Sequence, residues 1–143
     1  MQDVPPPILP PPPVGHALAM TGVGRFAVFA DLATIWRQPT FVMMRALQVV
    51  EEDFTVGATR YLGGWSLWRF DCDAGMADRL DFASVAVGGA EGPSTRDGQP
   101  AYAAAPGGDA AELLAVACGA VEPEVVATTV DEAVRIGRAA MAE

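Results

Sequence analysis

The chain has no lysine and no asparagine, and His16 is its only histidine. Without lysine there is no amine for a Schiff base and no phosphate-loop lysine, and one histidine excludes every multi-histidine metal site. A catalytic triad could use only His16, and no Gly-x-Ser-x-Gly elbow supplies its serine. All nine cationic residues are arginine, set against 18 acidic ones, so the net charge is −9 and the pI about 4.4. Such a chain, lacking a basic stripe, repels a phosphate backbone, which excludes nucleic acid as a partner.

Cysteine is equally scarce, with Cys72 and Cys118 far apart in sequence. Two residues make neither a zinc site by themselves nor a disulfide framework, so the simplest expectation is a reduced, cytoplasmic chain with both side chains acting as small buried hydrophobes. Met1-Gln2-Asp3 lacks the basic start of a secretory signal. The longest apolar stretch, Ala17–Trp36, is broken by Arg25 and Asp31, so no membrane-spanning helix is expected.

What is present suits one ordered domain. The 143 residues are 51% apolar and only 19% charged, enough for a core without disulfides or metals. The mean hydropathy of +0.25 is high for a free-standing soluble monomer and points to apolar surface turned toward another protein or a lipid. Residues 1–14 form a proline-rich arm, Pro5–Pro7 and Pro10–Pro13 flanking Ile8 and Leu9. Proline fixes φ and removes the amide donor, which predicts an extended polyproline arm ahead of a domain over residues 15–143.

Within that domain the spacing of Phe26, Phe29, Ala33 and Trp36 predicts an apolar helix over Gly24–Gln38, ended by Pro39. Thr40 can cap a second helix with Met43, Leu47, Val50 and Phe54 on one face, although Glu51, Glu52 and Asp53 oppose the dipole at its end and a strand fits there too. Alternation in Ser66–Asp73 and a second run at Leu80–Val87 predict strands, followed by a loop over residues 88–100. Asp109 with Glu112, and Thr129 with Glu132, have capping-box spacing for two C-terminal helices, with a short strand at Glu124–Thr128 between them. The fold class that follows is α+β: two apolar N-terminal helices, a small antiparallel or mixed sheet and two C-terminal helices.

Few motifs carry chemistry. Gly22-Val-Gly24-Arg-Phe-Ala27 fits a dinucleotide-binding turn, with Glu51 or Glu52 as the ribose-binding acid. Asp71, Asp73, Asp78 and Asp81 could hold a cation but read as a solvated strand and turn. Gly107-Gly108 before a helix could seat an anion, which Asp109 would repel. The leading expectation is therefore a non-catalytic accessory or structural subunit without cofactor, metal or enzymatic activity. It would bind a protein partner, or a second copy of itself, through Ile8, Leu9, Phe26, Phe29, Trp36, Trp65 and Trp68. A small-ligand or nucleotide-binding domain using the Gly22–Ala27 turn is the alternative. Peripheral membrane contact through Phe26–Val50 is disfavoured by the acidic balance.

Overall fold

The computed structural model describes residues 9–11 and 14–143. Ile8 and most of the proline arm lie outside the described residues. Strands β1 (Leu18–Val23), β2 (Phe26–Arg37), β3 (Val42–Val56) and β4 (Thr59–Asp71) form an antiparallel meander. Strands β5 (Met76–Arg79) and β6 (Asp81–Ala86) follow one another along the outer side of β4. Two-residue strands β7 (Thr95–Arg96) and β8 (Tyr102–Ala103) extend β6 and β5. The chain closes with helices α1 (Asp109–Ala117) and α2 (Val130–Met141).

The two expected N-terminal helices are thus the central strands β2 and β3, and the α+β expectation is corrected to a mostly antiparallel sheet carrying two C-terminal helices. The reason is burial on both faces. Val28, Ala30, Val42, Met44, Trp68 and Phe70 pack with Leu113 and Val116 of α1 on one face. Ala27, Phe29, Leu47, Val49 and Trp65 pack with Ala133 of α2 on the other. A strand covered on both sides loses its apolar–polar alternation, and its continuous apolar run then looks like a buried helix. Pro39 sits in the β2–β3 connection, where Gln38 N–H donates to the Phe41 carbonyl. The carboxylates at 51–53 meet no helix dipole, because they belong to the far end of β3.

Close approach of α2 to the sheet depends on Gly137, where a Cβ would lie 2.8 Å from the Ala27 Cβ. Thr129 caps α2, its hydroxyl accepting the Glu132 N–H at 3.1 Å while the Glu132 carboxylate returns to Thr128 and Thr129. The Thr128 backbone N–H, with the Thr128 and Thr129 hydroxyls, donates to the Glu132 carboxylate and holds it below its ordinary value. Helix α1 is weaker by itself. Its N-cap is Gly108, not the expected Asp109, with no side-chain cap, and its last turn has no basic residue. The predicted strand before α2 shrinks to one bridge, Ala127 to Leu18 of β1.

Helix α1 is instead held covalently. Cys118, at its C-cap, is bonded to Cys72, just past the end of β4, with Cα atoms 5.8 Å apart. This corrects the expectation of two free buried thiols: Cys72 is exposed, and the pair closes a 46-residue separation. Loop-closure entropy puts its contribution at about 4 kcal/mol as an upper figure. A Cys72→Ser, Cys118→Ser chain should lose about 2–4 kcal/mol in urea unfolding relative to the oxidised chain. An unchanged midpoint would show that α1 packs without the bond.

Candidate functional site

Beyond the core, β3 and β4 continue as a hairpin that projects past the rest of the sheet. Phe26, at the start of β2, pairs with Val50, and Glu51–Val56 run on beyond β2, with a register shift between Val49 and Phe54 that sets them against a shorter run of β4, flanked by β6 as far as Tyr61. The tip is Gly57-Ala58, where Gly57 has φ +62°, the conformation a tight hairpin needs at its first turn residue. Val56 is 61% exposed and Phe54 43%. Phe54 stacks on Tyr61 across the ladder at 5.5 Å. Val23, Phe26 and Val87 are exposed at the same end, where Val87 N–H bonds the Arg60 carbonyl.

The base of this hairpin is braced by charge. Asp53 accepts from Arg60 and from Arg138 of α2, both at 2.8 Å, and Arg138 Nε also donates to the Val50 carbonyl. The Arg138 hydrogen bond, reinforced by the charges of Arg138 and Arg60, holds the Asp53 carboxyl below its ordinary value of 3.8 against a smaller opposing effect of burial. Glu51 and Glu52 are exposed on the same strand, where charge discourages pairing with a foreign strand.

A second polar node lies inside. Asp31 is fully buried at an irregularity of β2, and its carboxylate accepts the Ala17 N–H at 2.9 Å and the Ala33 N–H at 3.2 Å. It also pairs with His16 Nδ1 at 2.8 Å. The His16 ring stacks on Trp65 at 5.2 Å, and the Arg45 guanidinium lies 4.4 Å from the Trp65 ring. His16 therefore anchors the start of the domain to its core.

The contact residues expected from sequence scatter. Phe29, Trp65 and Trp68 are core residues, Trp36 is half-buried and edge-on to Phe41, and Ile8 is outside the described residues. Phe26 and Leu9 are exposed. Leu9 lies at a groove of about 520 Å³ lined by Met43, Leu67 and Leu80. Gly22–Ala27 is the β1–β2 hairpin; no helix follows it, so no helix N-terminus is there to receive a pyrophosphate. The 26–50 segment lies in β2 and β3, so the interfacial helix needed for the membrane reading is absent.

Two of the four aspartates serve the fold: Asp71 accepts the Ala74 N–H, and Asp81 accepts from Leu67 N–H and the Ser94 hydroxyl. Among the described residues no three His, Cys, Asp or Glu groups gather as a metal site. None of their helices is long and apolar enough to cross a membrane. The exposed hairpin pair was missed because a helical reading of 41–54 hides it. The sequence signal was the β-branched, aromatic alternation of Phe54, Val56 and Tyr61 around Gly57-Ala58.

A family model described as surface-adhesin protein E matches residues 18–119, from the first residue of β1 to just past Cys118. The chain belongs to this family. Neither a curated protein nor a solved structure matches it. Membership in a surface-adhesin family corrects the cytoplasmic, complex-assembly expectation to the cell surface. The Cys72–Cys118 bond fits that correction, since disulfides persist outside the reducing cytosol. It leaves binding, in the coarse sense, as the family's activity.

Two measurements test this geometry. Asp53 titrates lower in the folded chain than in the unfolded one. Its contribution is therefore complete above about 3.8 and is lost as pH falls through the lower folded value. Arg138→Met should move the acid-unfolding limb to higher pH; an unmoved limb would show that the brace does not stabilise the fold. Asp31→Ala strands two backbone donors and should cost about 3 kcal/mol or more in urea unfolding. A loss below about 1 kcal/mol would mean that solvent or a rearranged backbone replaces the carboxylate.

Proposed function

We infer that this chain is a non-catalytic binding module of the cell surface that engages a protein partner through the hairpin end of its sheet. The observation that carries the reading is the Phe54–Tyr61 stack, left exposed beside Val56 on a projecting hairpin. Exposed aromatic and aliphatic side chains at a rigid site favour contact, because little side-chain entropy remains to be lost and their burial recovers apolar area. Arg60, 65% exposed beside Asp53, adds a directional polar contact of the kind enriched at interfaces. The Asp53–Arg138 brace supports the rigidity, since it ties the hairpin base to α2. Phe26, exposed among the contact residues expected from sequence, extends the same apolar character at this end, whereas Leu9 lies at the separate groove beside Met43 and Leu67.

The test is a Phe54→Ser, Val56→Ser chain, compared with the parent as coated beads on an array of secreted and cell-surface proteins. The parent should retain at least one protein. The variant should keep its thermal midpoint and lose about thirtyfold or more in affinity, the scale of a hot-spot pair. Equal retention by both chains, or no retention by the parent, would contradict the reading.

A further inference from the structure

The sheet face that α1 covers keeps an open cleft of about 350 Å³ beside the N-terminal end of the helix. Its floor is made of short side chains, Ala46 and Ser66, which pair across β3 and β4. Ala110 and Leu113 of α1 form one wall and Trp68 another. Gln48, Arg79, Tyr102 and Asp109 bring polar groups to the lining.

Apart from the Arg79–Asp97 pair, the polar groups here are unspent. Ser66 is 6% exposed and its side chain bonds to nothing among the described residues. No fully enclosed polar side-chain atom lacks a partner there, so the hydroxyl opens into the cleft it lines. Among those residues the Gln48 amide has no side-chain bond either. Gly108, not Asp109, is the N-cap of α1, with no side-chain cap bond, which leaves the Asp109 carboxylate available. Arg79 donates through Nε to Asp97 at 2.7 Å, and among the described residues its two terminal amino groups make no hydrogen bond. Tyr102 presents a ring that is 45% exposed.

We propose that this cleft binds a saccharide unit, independently of the hairpin surface. Asp109 repels an anion where Arg79 is already paired with Asp97, and among the described residues no group of carboxylates gathers there to hold a cation. An acyl chain would bury Ser66, Gln48 and Asp109 without partners, which is strongly unfavourable. A pyranose ring meets both demands. Its C–H face covers the short floor, Leu113 and the Tyr102 ring, while each hydroxyl can donate to Asp109 and accept from Arg79 or Gln48.

Saturation-transfer NMR and calorimetry with the methyl glycosides of glucose, galactose, mannose and N-acetylglucosamine test the proposal on the full chain. At least one should bind at millimolar concentration, with saturation on ring C–H protons. Gln48→Ala and Asp109→Ala should each weaken it about tenfold or more with an unchanged thermal midpoint. The Phe54→Ser, Val56→Ser chain should bind it as the parent does, so failure here and failure of the hairpin reading are separable. Capture of a glycoprotein that is lost on enzymatic deglycosylation would assign the unit to a protein-borne glycan; binding of the glycosides alone would assign it to free sugar. No binding of any of the four, or binding unaffected by both cleft substitutions, would overturn the proposal.

Discussion

The bond between Cys72 and Cys118 is the constraint on which the rest of the molecule leans. Helix α1 has nine residues and no side-chain cap, too little to be stable alone, since isolated helices of that length are marginal in water. Pinned at its C-terminus to the end of β4, it covers one face of the sheet and supplies Leu113, Val116 and Ala117 to the core there. The opposite face needs no such tie, because α2 is well capped and is held through Arg138 to Val50 and Asp53. A sheet covered on both faces still leaves Val23, Phe26, Phe54, Val56 and Val87 exposed at its hairpin end.

That two-sided cover also decides what could be read in advance. Thr129 and Glu132 were legible as a cap, because a capping box is a local device fixed by spacing. The alternation through Trp68 and Phe70 marked β4 because Arg69 between them and Asp71 after them remain exposed. In β2 the consecutive residues Ala27, Val28, Phe29 and Ala30 are all buried, and a strand with no polar face carries no period of two. Helix and strand then differ only in β-branched content, a weak signal. Phe29, Trp65 and Trp68 were attractive as contact residues for the same reason that they are core residues: large apolar groups serve both ends.

The polar features were the least legible, since each joins positions far apart in sequence. Asp31 meets His16 across 15 residues, Asp53 meets Arg138 across 85 and Cys72 meets Cys118 across 46. Spacing cannot announce such pairs, and a count of two cysteines fits one bond as well as two thiols. Family membership over residues 18–119 supplied the compartment that composition had misassigned. Once the chain is placed at the surface, exposed Phe54 and Val56 read as contact groups, where on a cytoplasmic domain they would be an aggregation liability.

The most direct test of this account is the thiol state of the chain in its own host. Cells would be quenched in acid and alkylated before any reductant is added, and the intact protein weighed. The account predicts no alkyl adduct at Cys72 or Cys118 until reductant is present, as a covalently pinned surface domain requires. Two adducts without reduction would contradict both the pinning of α1 and the assignment to the cell surface.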